Sequence, residues 1–176
     1  MGSSRLALLG LALCSAAGTT AQEPGLAPRL DRLACGNTVV IAHASCYGTT
    51  PMCVRETLTF HRPEGRTVLA PHKQLGRYTL HAGRTVEALD YHASEWAGVA
   101  GLNGGRYVAF IMARTTGGNC SECKYFRLYH PNGRLVASTL TFDAAGRPRK
   151  DPKASELISK MVDRPRPDAF QPVYAR

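Results

Sequence analysis

Apolar and polar residues alternate along several short stretches of this chain. In VRETLTF, residues 54–60, every second residue would lie on the same face of an extended segment. One such set is Val54, Glu56, Leu58 and Phe60. In KYFRLY, residues 124–129, two apolar residues would lie opposite two tyrosines and an arginine, and residues 135–142 alternate in the same way. A period of two residues predicts half-buried β-strands.

A repeated turn sequence connects these predicted strands. Residues 63–66 read Pro-Glu-Gly-Arg, and residues 131–134 read Pro-Asn-Gly-Arg. Proline fixes φ at the first corner of a tight turn, and glycine accepts the left-handed conformation that such a turn needs between antiparallel strands. In both places an apolar run, a cysteine-closed loop and a strand come before the turn, and a further strand follows it. The order predicts two similar three-stranded meander units, at about 37–70 and 105–138.

The remaining pattern predicts few helices. Apolar residues of the segment 152–162 fall on one helical face, Asp151 is a suitable N-cap and Pro152 suits the first helical position. Residues 26–33 are predicted as a short N-terminal helix, and the proline-rich tail 163–176 as an extended segment in which Phe170 and Tyr174 dock on the body. We therefore expect a mainly β protein with antiparallel sheets and one amphipathic C-terminal helix. A meandering sheet, a sandwich and a partial propeller all remain possible topologies.

The glycine-arginine turns resemble those of bacterial YD-type and MORN-type repeats. The resemblance covers the turn tetrapeptides alone, and it implies no function.

The first residues predict export. Arg5 precedes an apolar run, small residues follow, and a cut after Ala21 fits a secretory signal peptide at 1–21. A buried helix and a lipid anchor on Cys14 are the alternatives. We expect residues 22–176 to form a single exported domain, in the bacterial periplasm or outside the cell, with no transmembrane span.

The charge balance favours acidic partners. The chain has 22 Lys and Arg against 13 Asp and Glu, a net charge of +9. Without Arg5 the mature chain would carry +8. The cations are scattered singly, which disfavours nucleic acid as a partner. We expect a protein partner with an acidic surface, and weak binding to an anionic surface is an alternative.

Five cysteines would remain in the mature chain, and export implies an oxidising compartment. Fifteen schemes of two bridges and one free thiol are possible. The repeat favours disulfides Cys46–Cys53 and Cys120–Cys123, which leaves Cys35 as the free thiol. Because Cys120 and Cys123 form a CxxC, a thiol-redox site or a zinc site are alternatives.

No motif names a reaction, and we assign no catalytic residue, no metal site and no cofactor. LDYHASEW, residues 89–96, is predicted as a loop and is the best cluster for acid–base chemistry, with Asp90, His92 and Glu95. The alternative function is therefore a periplasmic hydrolase, or a thiol-redox or metal protein.

Tyrosine, tryptophan and arginine are enriched at binding hot spots. The predicted binding surface consists of Trp96, Tyr125, Arg127, Tyr129, Arg66 and Arg134. The leading hypothesis is an exported binding protein, an inhibitor or immunity protein that blocks a toxin or a cell-wall hydrolase. A packing role for Tyr125 and Tyr129 against the helix is the alternative for those two residues.

Overall fold

The computed structural model describes residues 25–48, 52–80, 83–101, 104–116, 120, 122–162 and 170–174. The predicted signal peptide, Cys14 and most of the proline-rich tail lie outside them. The first six strands are β1 (Leu26–Cys35), β2 (Thr38–Tyr47), β3 (Met52–Arg62), β4 (Gly65–Leu69), β5 (Leu75–Thr79) and β6 (Thr85–Leu89). The next six strands are β7 (Tyr91–Ala100), β8 (Arg106–Arg114), β9 (Lys124–Tyr129), β10 (Leu135–Ser138), β11 (Leu140–Phe142) and β12 (Pro148–Lys150). Helix α1 (Pro152–Val162) and strand β13 (Gln171–Pro172) follow.

Antiparallel sheets dominate the structure, as predicted. The first sheet has the strand order β1-β2-β3-β4, and the second has the order β10-β9-β8-β7-β13. The expected meanders are β2-β3-β4 and β8-β9-β10. Each is longer than predicted by one strand at its start, β1 or β7, and each is followed by a two-stranded hairpin, β5-β6 or β11-β12. The repeat therefore covers six strands in each half.

Strand β1 corrects the prediction of a helix at 26–33. Its leucines are spaced as on a helix, but Leu26 and Leu30 are 50% and 68% exposed, so they form no buried stripe. β1 pairs with β2 along its whole length, from Leu26↔Tyr47 to Cys35↔Thr38. As an edge strand it tolerates Pro28, because proline is accepted where one side of the strand has no partner.

The two sheets pack face to face around the main core. Val40, Leu58 and Phe60 of the first sheet lie in one cluster with Phe110 and Met112 of the second. The rings of Phe60 and Tyr129 have centroids 5.6 Å apart across the sheets. Full burial of side chains of this size stabilises the fold by about 1.5–3 kcal/mol each.

Helix α1 covers the outer face of the second sheet, and its bounds agree with the sequence. Ala154, Ile158 and Met161 pack with Ala97 and Leu128. The helix begins as predicted, because the Ala154 N–H donates to Asp151 Oδ1 at 3.0 Å. In the described part of the chain, no helix has the length and apolar character needed to cross a membrane.

Both predicted disulfides are present in the structure. Cys46 is joined to Cys53 at the end of the β2–β3 pair, and Cys120 is joined to Cys123 between β8 and β9. Cys35 is a free and buried thiol. The bridges lie at the ends of the strands away from the proline-glycine turns. Each half therefore has its disulfide at one end and its turn at the other.

The C-terminal segment is built into the sandwich. β13 extends the second sheet through Gln171↔Trp96, and the Val173 N–H donates to the Ser94 carbonyl at 2.7 Å. Phe170 lies against Phe126, with ring centroids 6.2 Å apart. Tyr174 is 6% exposed and packs in the main core. Docking of Phe170 and Tyr174 on the body agrees with the prediction.

Candidate functional site, a basic face at the paired turns

The two proline-glycine turns adopt the predicted backbone. In the first, Arg62 pairs with Gly65 across a two-residue loop, and Gly65 has a φ of 146°. In the second, Gly133 has a φ of 84° and donates its N–H to the His130 carbonyl at 2.8 Å. The Asn132 side chain accepts a bond from the Arg134 N–H at 2.9 Å. Both turns are therefore tight and held by local hydrogen bonds.

Stacking of the two halves brings the turns side by side. A β-carbon added at Gly133 would lie only 2.9 Å from Thr67 Cγ2, so the second turn rests directly on β4 of the first half. A cleft of about 220 Å³ separates the turns. It is lined by Asn37, Thr38, Arg62, Pro63, Glu64, His130, Pro131 and Asn132. We call residues 62–66 and 130–134 the twin-turn face.

Positive charge dominates the twin-turn face. Arg66 and Arg134 are exposed, and neither forms a salt bridge with any residue that the structure describes. Arg62 is compensated, because its Nη1 lies 2.9 Å from Glu64 Oε1. The exposed Arg106 runs beside the neighbouring β1–β2 turn, since a β-carbon at Gly36 would lie 3.1 Å from its Cδ. The end of the sandwich therefore presents guanidinium groups that are free to contact an acidic surface.

Three aromatic residues of the predicted surface are not on the surface. Tyr125 and Tyr129 do share a face of β9 with Arg127, but that face points into the space between the sheets. Trp96, Tyr125 and Tyr129 are 1%, 2% and 3% exposed. Strand β9 is covered on one side by the first sheet and on the other by α1, so neither side is free for a partner. Packing of the two tyrosines against the helix is wrong too, because they belong to the core between the sheets.

Arg127 lies at the rim of this core rather than on the twin-turn face. One of its guanidinium nitrogens, Nη1, donates to the Pro71 carbonyl and contacts the Tyr129 hydroxyl at 3.4 Å. Its Cζ lies 5.5 Å from the ring centroid of Tyr125. Of the six residues of the predicted binding surface, Arg66 and Arg134 are thus the two that are exposed, one at each of the adjacent turns.

The segment LDYHASEW is not a loop and forms no acid–base cluster. Most of it belongs to β7, where successive side chains diverge. Asp90 accepts a hydrogen bond from the Tyr78 hydroxyl at 2.6 Å, and Glu95 lies 3.6 Å from Lys124 Nζ. His92 is 5% exposed, and burial lowers its pKa to about 4. These groups cannot share one proton-transfer site because their partners lie in different directions.

Among the described cysteines, Cys35 is the one that is not in a disulfide. The four others are bonded in pairs, and β9 rather than a helix follows the CxxC. Burial raises the pKa of Cys35, although the nearby charge of Arg106 lowers it. Within the described ranges, no three His, Cys, Asp or Glu residues are grouped as metal ligands would be.

The sequence did not reveal two buried titratable groups. Glu56 is 1% exposed, and its carboxylate accepts the Ala93 N–H at 3.0 Å and 3.1 Å and the Tyr174 hydroxyl at 3.0 Å. Burial raises the pKa of Glu56 to about 7. His72 is 7% exposed, and burial, assisted by the charge of Arg127, lowers its pKa to about 4. The one clue in the sequence was the alternating pattern of residues 54–60, which places Glu56 on the same face as Leu58 and Phe60.

Comparisons with protein-family models, with curated proteins and with solved structures find no match to this chain.

Proposed function

We propose that this protein is an exported binding protein, and that the twin-turn face is the surface with which it binds an acidic protein partner. The observation that carries the proposal is the side-by-side placement of the two turns, with Arg66 and Arg134 both exposed. Two repeats that are far apart in sequence thus each contribute one exposed arginine to the same end of the sandwich. Shape and charge together favour recognition of an acidic cleft.

The most specific form of this function is an inhibitor or an immunity protein that blocks a toxin or a cell-wall hydrolase. Two narrow, cationic turns at the end of a sandwich have the shape needed to enter an enzyme cleft lined by carboxylates. The turns are tied down by local hydrogen bonds, so little conformational entropy is lost when they bind. The disulfides are compatible with the oxidising periplasm or the extracellular space, where such a partner would be met.

Charge reversal on the twin-turn face tests the proposal. The double variant Arg66→Glu/Arg134→Glu changes two exposed residues, so it should fold as the original protein does. Immobilised original protein should capture a partner from the exported protein fraction at low salt, and the double variant should lose at least about 90% of it, a tenfold effect of about 1.4 kcal/mol. Arg77→Glu, an exposed position on the β5–β6 hairpin, is the matched control and should capture the partner normally.

The outcomes separate this function from its alternatives. Equal capture by the double variant and by Arg77→Glu would overturn the assignment of the surface. Binding to vesicles of anionic lipid that disappears at moderate salt, with no captured protein, would instead favour an anionic membrane surface as the partner.

A further inference from the structure

A second and larger cleft lies away from the twin-turn face. It has a volume of about 560 Å³ and lies between residues 70–74, which link β4 to β5, and residues 142–146 at the turn of the β11–β12 hairpin. Arg127 lines it from β9. None of its lining residues belongs to the twin-turn face. A volume of this size lies within the range of pockets that bind small organic molecules.

The cleft has an excess of positive charge, which favours the binding of an anion. Lys73 is exposed and Arg127 is partly buried, and both line the cleft. The lining also contains the carboxylate of Asp143, but this group is already engaged, because Arg147 Nε and Arg149 Nη2 lie 2.9 Å and 3.3 Å from its Oδ2. Backbone N–H groups of Ala145 and Arg147 donate to its other oxygen.

Arg127 forms no salt bridge with any described residue, although its charge acts on the buried carboxyl of Glu56. Nη1 bonds to the Pro71 carbonyl and contacts the Tyr129 hydroxyl, while Nε is buried and has no hydrogen-bond partner among the described residues. A partly desolvated guanidinium that forms no salt bridge is costly, and buried donors in native proteins are nearly always satisfied. The planar fork of arginine matches the two oxygens of a carboxylate.

His72 adds a second unsatisfied group to the same cleft. Its side chain is buried against the rings of Tyr91 and Phe142, with centroids 5.2 Å and 5.1 Å away. Its Nε2 has no hydrogen-bond partner among the described residues. Because its pKa is lowered to about 4, the imidazole is neutral at pH 7 and keeps one N–H to donate and one nitrogen to accept. Phe142, Ala144 and Ala145 supply an apolar wall.

We propose that this cleft binds a small organic carboxylate, whose charged group is held by Arg127 and Lys73 and whose apolar part lies against Phe142. His72 forms part of the base of the cleft. This site is separate from the twin-turn face, so the proposal does not depend on the protein partner proposed above.

The test is titration of the full mature chain with N-acetylalanine, followed by amide chemical shifts in NMR spectra. Shifts should saturate at residues 72–74 and 144–146. The uncharged amide of N-acetylalanine should bind at least about tenfold more weakly. Lys73→Ala should weaken binding about threefold and Arg127→Lys about tenfold or more, because lysine lacks the planar fork. Lys153→Ala, an exposed change on α1, should leave the affinity unchanged.

Several results would overturn the proposal. They are equal affinity for the acid and its amide, affinities of Lys73→Ala and Lys153→Ala that do not differ, and an absence of shifts at millimolar N-acetylalanine. Phosphate that binds as tightly as N-acetylalanine would overturn the assignment to carboxylates. If Arg127→Lys does not give the spectrum of a folded protein, Lys73→Ala and the amide probe decide the matter.

Discussion

At the scale of single residues, Glu56 is the most informative position. Alternation along β3 correctly predicts that it points inward with Leu58 and Phe60. The partners of its carboxyl could not be predicted, because Ala93 and Tyr174 are 37 and 118 residues away along the chain. A buried carboxyl is tolerated here because it replaces a strand partner for the Ala93 N–H and accepts the Tyr174 hydroxyl. A sequence pattern predicts the face of the strand on which a residue lies, but it does not predict which distant group will be its hydrogen-bond partner.

Glu56 makes stability depend on pH in a definite direction. Its pKa rises from 4.5 to about 7 on folding, a difference of about 3 kcal/mol. Because the folded pKa is the higher one, this stabilisation is complete below about pH 4.5 and is lost as the pH rises through about 7. We expect the free energy of unfolding, measured with urea, to fall between pH 5 and pH 8 by about 2–3 kcal/mol more in the original protein than in Glu56→Gln.

The control for this prediction is Glu87→Gln, which changes an exposed carboxyl. His72 and His92 have lowered pKa values, so their stabilisation is present above pH 6.5 and is lost as the pH falls through about 4. Their effect has the opposite sign but is common to both proteins, so it cancels in the difference. A constant difference between Glu56→Gln and the original protein across this range would contradict the account.

At the scale of secondary-structure elements, regular strands and the helix could be predicted and irregular strands could not. β7 contains a bulge between Ala93 and Glu95. The bulge changes the face on which the following residues lie, so that both Ala93 and Trp96 point into the main core. LDYHASEW therefore has no simple period of two, and a loop was the wrong inference. In β1 the leucine spacing imitated a helix although two leucines are exposed.

The disulfides are elements whose effect on stability can be estimated. The bridges span 7 and 3 residues of sequence separation. In the chain-entropy model, a disulfide that closes a short loop adds little stability. We expect the free energy of unfolding, measured with urea, to fall by about 2.5 kcal/mol in Cys46→Ala/Cys53→Ala and by about 2 kcal/mol in Cys120→Ala/Cys123→Ala. In a chain that consists of residues 22–176, Ellman's reagent should find one thiol, Cys35, after denaturation without reductant, and five after reduction. Three or more thiols before reduction would contradict the disulfide assignment.

Hydrogen bonds from Tyr174 join the C-terminal segment to two strands of the first sheet. The Tyr174 N–H donates to Asp31 of β1, and its hydroxyl donates to Glu56 of β3. We expect Tyr174→Phe to destabilise the protein by about 1 kcal/mol and Tyr174→Ala by about 3–5 kcal/mol, since the second change also leaves a cavity. Thermal unfolding would check this against Gln171→Ala, an exposed change in β13. Equal stability of Tyr174→Ala and Gln171→Ala would show that the segment is not part of the core.

At the scale of the whole molecule, the similarity between the two halves explains both the fold and the candidate site. Each half places its disulfide at one end and its proline-glycine turn at the other, and face-to-face packing aligns like ends. The sequence revealed the two turns but could not show that they meet, because meeting depends on how the sheets stack. The prediction that the aromatic residues lie on the surface was wrong for the same reason. Stacking of the sheets buries Tyr125 and Tyr129 instead of exposing them.

The central claim is that the twin-turn face recognises an acidic partner through Arg66 and Arg134. The most direct measurement is the rate of association with the captured partner between low and physiological ionic strength. We predict that the original protein and Arg77→Glu associate fast at low salt and slow steeply as salt rises, whereas Arg66→Glu/Arg134→Glu associates slowly at every salt concentration. If the double variant associates as fast as Arg77→Glu at low salt, the claim is contradicted.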